Sequence, residues 1–226
     1  MVEVAYLGHS TFLIRWGGKA VLTDPWLSPK PREVQRLIPP VATQDKIRAC
    51  DMILVSHEHF DHCDPYDVTM LSGRTFAHVV APEDALAHLP DVNPRLKASV
   101  EEGDSFTLNG INIDVVPAKH PQSTNPVGYI LDAGGKRIYF AGDTYDYYEM
   151  VNYDVDLAIL PIGGTFTMDP LSAVKALKLM RAGFVIPMHY NTFPRIQADE
   201  IDFAARVKAN TRTKPVVLSP GERFEL

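Results

Sequence analysis

Directly behind an apolar run, Met52-Ile53-Leu54-Val55, the chain places three histidines and an aspartate within the seven residues Ser56-His57-Glu58-His59-Phe60-Asp61-His62. The run is short and partly β-branched, which reads as a buried strand. The polar cluster then occupies the loop at that strand's carboxyl end, where α/β sheets tend to place their chemistry. Imidazole and carboxylate are ligands for borderline divalent metals. His57 and His59 can point the same way from a loop, while Asp61 and His62 can point to a second position. The spacing therefore suits two adjacent ions rather than one. A solvated loop that happens to contain histidine would account for one or two of these residues. So dense a set has no packing purpose.

The same construction recurs further on. Val115-Val116-Pro117-Ala118-Lys119 leads to His120, Ile138-Tyr139-Phe140-Ala141-Gly142 leads to Asp143, and Val185-Ile186-Pro187-Met188 leads to His189. If these strands are neighbours, their ends converge on one edge. His57, His59 and His120 can then hold one ion, Asp61, His62 and His189 a second, and Asp143 can bridge them. A histidine after a strand is, taken alone, more often a hydrogen-bonded structural residue, so the assignment rests on joint placement. His78, inside a predicted strand, and His88, on a predicted helix face, lack that placement.

Around these points the pattern alternates strands with helices. Val2–Tyr6, Thr11–Trp16 and Ala20–Thr23 read as strands, with a hairpin turn at Gly17-Gly18. Residues 25–44 are proline-rich and read as one long irregular loop, of the kind that serves as a lid or interface or is a plain surface excursion. Pro65–Leu71 reads as a short helix, Phe76–Val80 as a strand, and Pro82-Glu83-Asp84 as a helix start. Residues 96–117 alternate, with hairpin signals at Glu102-Gly103-Asp104 and Asn109-Gly110. Val127–Asp132 and Lys136–Ala141 flank a third hairpin at Gly134-Gly135. Asp156–Pro161 and Phe184–Met188 are predicted strands. Asp169–Met180 is a predicted helix with Ala173, Ala176, Leu177 and Met180 on one face. Asp199–Lys208 is another helix, and Val216–Leu218 closes the sheet. The two halves look alike, which predicts a duplicated ββα unit and an α/β chain of two packed sheets with helices outside.

Composition narrows the function classes. With 226 residues the chain suffices for one domain, read here as spanning 1–226. A formal net charge of −6 and no basic block argue against a nucleic-acid partner. No apolar run reaches membrane-spanning length, and the N-terminus lacks a basic segment followed by an apolar one, so a cytoplasmic location is expected. Two cysteines, Cys50 and Cys63, make no disulfide framework; Cys63, directly after His62, is read as a ligand, a redox liability or, preferentially, a reduced bystander.

His57-x-His59-x-Asp61-His62, His120, Gly142-Asp143-Thr144 and His189 resemble the motif set of the metallo-β-lactamase-fold hydrolases, and Asp24 in Leu22-Thr23-Asp24-Pro25-Trp26 matches their first motif. Gly8-His9-Ser10, Leu160-Pro161-Ile162-Gly163-Gly164, Phe166-Thr167-Met168 and Pro187–Pro194 are similar to a branch of small metal-dependent hydrolases related to the ascorbate-6-phosphate lactonase group. The resemblance implies a four-layer αββα sandwich and a hydrolytic centre of two divalent ions. Zinc is the default, and manganese, iron and nickel also suit His/Asp ligands. Proline at position 121 departs from the small hydroxyl residue that often follows the third-motif histidine. Retention of histidine at 59 favours hydrolysis over the oxygen reduction of the related flavodiiron proteins, which place glutamate there.

The implied mechanism is attack of a metal-bridging hydroxide on a small ester, lactone or phosphoester, with Asp61 both a ligand and the group that orients the nucleophile. Asp24 is placed behind the ligands as a hydrogen-bond acceptor, or is simply a turn former at a strand end. His9 is read either as a pocket residue that binds substrate or protonates a leaving group, or as a hydrogen-bonded core histidine. Trp26, Tyr145, Phe166, Tyr190 and Asn191 are candidate pocket walls. A small-molecule substrate is the expected partner, no membrane is, and the loop at 25–44 with its aromatics hints at a homo-oligomer. The competing readings are a metal-dependent nuclease or phosphodiesterase and a non-catalytic metal-binding sensor.

Overall fold

A computed structural model describes residues 1–29, 31 and 33–226. The first half opens with an antiparallel meander of β1 (Glu3–Gly8), β2 (Thr11–Trp16) and β3 (Lys19–Thr23). Gly17 and Gly18 both hold positive φ, 49° and 81°, as a two-residue primed hairpin turn demands. β4 (Met52–Leu54), β5 (His78–Ala81) and β6 (Lys97–Ser99) then add in parallel. Parallel neighbours need crossovers, and these carry α1 (Pro65–Thr75) and α2 (Glu83–Ala87).

The second half repeats the plan. β7 (Ser105–Leu108), β8 (Ile111–Pro117), β9 (Val127–Asp132) and β10 (Arg137–Phe140) run antiparallel. β11 (Asp154–Pro161), β12 (Arg181–Met188) and β13 (Lys214–Pro215) follow in parallel. The later crossovers hold α3 (Pro170–Leu179) and α4 (Glu200–Asn210). The fold is therefore α/β with two mixed seven-stranded sheets, ordered β14-β1-β2-β3-β4-β5-β6 and β13-β12-β11-β10-β9-β8-β7.

The side-chain period of two shows how the first sheet is sandwiched. Val4, Tyr6, Phe12, Ile14, Val21, Met52, Leu54 and Val80 belong to the large core shared with the second sheet and α3 and α4. The alternating set, Ala5, Leu7, Leu13, Leu22, Ile53 and Val79, packs instead with Val68 and Leu71 of α1 and Ala85 and Leu86 of α2. Asp64 caps α1 by accepting from the backbone N–H groups of Tyr66 and Asp67, with Pro65 at the first position. Leu71, fully buried, anchors that helix, and truncating it to alanine would cost about 2–5 kcal/mol.

Three expectations change. Glu102-Gly103-Asp104 is not a hairpin, because β6 and β7 lie in different sheets and this stretch carries the chain between them. The closing strand of the second sheet is Lys214–Pro215, not Val216–Leu218, and the chain then returns so that β14 (Arg223–Glu225) pairs antiparallel with β1. Turn chemistry marks a reversal but not whether the strand beyond it pairs with its predecessor. The helix read at Pro65–Leu71 runs on to Thr75, where Phe76 adopts a left-handed cap. In the loop at 25–44, Lys30 and Arg32 lie outside the described residues, and among the others no helix or strand forms before Gln44. Among the described residues no helix is long and apolar enough to cross a membrane.

Candidate metal centre

The carboxyl ends of β3, β4, β8, β10 and β12 meet on one edge of the two sheets, and there Asp24, the 56–62 loop, His120, Asp143 and His189 come together. Close backbone approach makes this possible. A Cβ on Gly142 would stand 2.6 Å from the Ser56 Cβ, and one on Gly163 only 2.2 Å from the His189 carbonyl oxygen. The His189 N–H donates to the His9 carbonyl at 3.1 Å, tying the end of β12 to the end of β1. His9, Asp24 and His189 all hold positive φ, at 59°, 34° and 54°. Such backbone is costly for residues with a side chain and concentrates at functional sites.

Donor atoms fall into three overlapping groups, each within 4.8 Å: His57, His59 and His120; His57, His62 and Asp143; and His9, Asp61, His62 and His189. The Asp143 carboxylate reaches across them, with one oxygen 3.3 Å from His62 Nε2 and the other 3.2 Å from His189 Nε2 and 3.9 Å from His120 Nε2. All seven side chains expected to be ligands are thus side by side. Cys63 is not among them: its thiol is buried against the Ala85 carbonyl, and burial pushes it up to about 12. His78 opens β5 beside Asn109, and His88 ends α2, both away from the cluster.

The outer nitrogens of most of these imidazoles are held from behind. His62 Nδ1 lies 2.6 Å from Asp24 Oδ2, His57 Nδ1 lies 2.9 Å from Ser56 Oγ, His120 Nδ1 faces the Phe166 carbonyl at 3.2 Å, and His59 Nε2 faces the Gln122 carbonyl at 3.1 Å. Asp24 also accepts from the Ser56 N–H at 2.7 Å and the Ser56 hydroxyl at 2.6 Å. What remains faces inward. His57 Nε2, His62 Nε2, Asp143 Oδ1 and both nitrogens of His189 are buried without a hydrogen-bond partner. Buried polar atoms are seldom left so, because each orphan costs about 1–3 kcal/mol. A pinned outer nitrogen with a free inner one is the arrangement of metal-ligating histidine, and the residues present fit such a group.

Electrostatics follow from burial and crowding. Burial, then the neighbouring His62, hold His57 well below the usual histidine range. Burial opposes a charge on His62 and His189, yet Asp143 and Asp61 beside both, and Asp24 beside His62, hold both protons more firmly, raising His189 to about 9. Asp61 and Asp143 would be raised by burial, but the adjacent histidines hold both well below the carboxylate range.

His9 sits deeper than a pocket residue would. It is fully buried, with Nδ1 2.6 Å from Thr192 Oγ1 and Nε2 3.2 Å from Asp61 Oδ2. Burial and the nearby His189 push it down to about 3, so it is neutral at ordinary pH. It backs Asp61 instead of facing a leaving group. Glu58 turns outward, accepting from the Ser123 hydroxyl at 2.6 Å and the Thr124 N–H at 3.1 Å, which staples the loop after His120.

Above the cluster opens a cavity of about 280 Å³, floored by His59, Asp61, His120, Asp143 and His189 and walled by Val34, Phe60, Phe166 and Phe193, with Gln122 and Arg195 also lining it. Of the five predicted wall residues only Phe166 lines it. Trp26 is buried beneath Phe193 and Ile196, Tyr190 is buried, Tyr145 points its hydroxyl at the Thr165 carbonyl, and the Asn191 side chain bonds the backbone of Ala198. Phe60, inside the histidine-rich loop, and Phe193, inside the stretch Pro187–Pro194, line it instead, and both sit within the motifs themselves. Val34 belongs to the long loop, which is therefore part of the site. The Arg36 guanidinium pins that loop by bonding the carbonyls of Trp26, Ser28 and Ile38 while stacking 3.8 Å over the Trp26 ring.

Comparison with known proteins agrees with this geometry. Residues 3–189 match the family described as the beta-lactamase superfamily domain. A UPF0173 metal-dependent hydrolase of Thermococcus kodakarensis is 37% identical and one of Pyrococcus furiosus 38% identical, each over the full length of both chains. The solved structure of Igni18, a metallo hydrolase from Ignicoccus hospitalis, superposes with a TM-score of 0.84 at 31% identity, covering 100% of this chain and 99% of that one. With the motif-bearing edge, the two mixed sheets and these full-length likenesses in agreement, the chain belongs to the UPF0173 metal-dependent hydrolases of the beta-lactamase superfamily.

Proposed function

We propose that the chain is a two-metal hydrolase of a small ester, lactone or phosphoester. One observation carries the reading: seven His and Asp side chains crowd one edge, several with buried nitrogens or oxygens that make no hydrogen bond. In this assignment His57, His59 and His120 would hold one ion and Asp61, His62 and His189 the other, with Asp143 available to both. Zinc is the first candidate for such ligands and manganese the second. A pair of bound divalent ions would lower the pKa of water so that hydroxide is available near neutral pH, and would offset charge developing on the substrate oxygen.

The chain's own residues do the rest. Asp24 and Ser56 hold His62 and His57 in the tautomers that present Nε2 inward. His9, itself fixed by Thr192, holds one oxygen of Asp61, which keeps that carboxylate in register with His62 and His189. Asp61 is then placed to orient the attacking water, and His9 and Asp24 act as positioning residues. The apolar walls limit water to the floor, where the polar groups are.

The test is turnover by metal-loaded protein of matched panels of lactones, carboxylic esters, phosphodiesters and short RNA, with bound metal measured in parallel. His59→Ala is expected to abolish turnover and lower the metal content. Equal activity in the parent and this variant would refute the assignment. Cleavage of RNA alone would replace it with the nuclease reading, and tight metal and ligand binding without turnover would replace it with a sensor.

A further inference from the structure

The walls of the cavity belong to neither sheet core. Trp26, Phe193 and Ile196, with Val34, Phe60 and Phe166 packed on them, form a separate apolar cluster assembled from four loops. Apolar side chains brought from four loops to one place, and left lining an opening above a polar floor, are not needed to hold the sheets together. Burying apolar surface is favourable by about 25 cal/mol per Å², so such walls reward a ligand that covers them. Among the described lining residues above the floor, Arg195 alone is charged. Its guanidinium lies 4.7 Å from the centre of the Phe166 ring, so it extends the aromatic wall while its charged end stays exposed. No hydroxyl-bearing side chain is among the described lining residues, and above the floor only Gln122 and Arg195 could meet the oxygens of a sugar. At about 280 Å³ it is small even for a ligand pocket, and it is too small for a folded polymer.

We propose that the substrate is a small carboxylic ester or lactone with an aliphatic or aryl acyl group, which lies against Phe60, Phe166, Phe193 and Val34, and that sugar-like substrates are disfavoured. The inference rests on the hydrolase reading above and sharpens it. Hydrolysis would break the acyl C–O bond: the oxygen of water goes to the acyl carbon, one proton goes to the departing alcohol, and the other is released from the acid. The carboxylate product would keep its apolar chain on the walls and its oxygens on the floor.

Product-side binding tests this without requiring turnover. Heptanoate and (2-methoxyethoxy)acetate have equal chain length and the same carboxylate, and differ by two ether oxygens in place of two methylenes. Calorimetric titration of the metal-loaded protein is expected to give at least about tenfold tighter binding of heptanoate. Phe166→Ala is expected to bring that ratio below about threefold. Phe60→Ala, on a different loop, repeats the test should the first variant fold poorly. Equal affinity for the two ligands, or a ratio unchanged in both variants, would overturn the substrate class and leave the hydrolase reading standing. Failure of the whole ester, lactone and phosphoester panel would remove the hydrolase reading, while the binding ratio would still report on the walls.

Discussion

The two ends of the second sheet make an instructive pair. At the amino ends of β10, β11 and β12 lies a groove of about 1130 Å³ lined by Arg137, Asp154, Asp156, Lys178, Arg181 and Arg212, among others. At the carboxyl ends lies the cavity of about 280 Å³ over the histidine cluster. The larger opening is chemically quiet. Its charges lie at the surface and several are paired: Arg181 with Asp154 at 3.4 Å, while the half-buried Asp156 accepts from Lys136 at 2.9 Å and from the Arg137 N–H at 3.0 Å. The smaller one holds buried polar atoms that make no hydrogen bond and face only one another. Volume says little about chemistry. Desolvated groups left without partners say a great deal, since folding tolerates them only where something else repays the cost.

That contrast can be broken by mutation. The largest effect is expected from loss of a ligand, as in His62→Ala, which like His57 belongs to two of the three ligand groups. Turnover should fall by at least about 10²–10³-fold and bound metal should drop, as read by assay and elemental analysis. Next comes Asp24→Asn, which removes the carboxylate shared by Ser56 and His62. Metal affinity should weaken by about 10–100-fold in a chelator competition.

A smaller effect separates the metal-free from the loaded protein. His62 and His189 hold their protons above the usual histidine value of 6.5, His189 up to about 9. Their raised values stabilise the folded chain below pH 6.5, and that contribution is lost as pH rises through about 9. Chelated protein should therefore unfold more readily at pH 9 than at pH 6.5. Loaded protein, whose ligands have already given up their protons, should lack that slope. Denaturant titrations at the two values with and without chelator decide the matter, and a flat profile for the chelated protein would refute the charge arrangement described here. The smallest effect belongs to the far groove. Arg181→Ala should shift stability by no more than about 0.5 kcal/mol and kcat/KM by less than about twofold. A large loss of activity there would mean that the quiet end is not quiet.

Much of this was legible residue by residue. The histidine-rich loop, the strand ends at His120, Asp143 and His189, and two hairpins of the second half follow from local chemistry: ligand types at tight spacing, alternation of side chains, and glycine where φ turns positive. Pairing was less legible. The Glu102-Gly103-Asp104 turn looks like the others, yet the strands on either side join different sheets. The return of Arg223–Glu225 to β1 leaves no mark in so short a segment. The pocket was legible only in part, because aromatic loop residues look alike until packing decides which are buried, as Trp26 is, and which face an opening, as Phe60 and Phe166 do.

By itself the sequence determined that this chain carries a metal-type ligand set on the ends of buried strands, because ligand identity and strand periodicity are local properties. Only the tertiary structure decided that His9 lies behind Asp61, that Asp24 and Ser56 fix the tautomers from outside, and that four loops wall the cavity with three phenylalanines and a valine. Those depend on distances between residues far apart in the chain, such as the 183 positions between His9 and Thr192, and on which atoms water can still reach. Neither quantity exists until the two sheets have closed on each other.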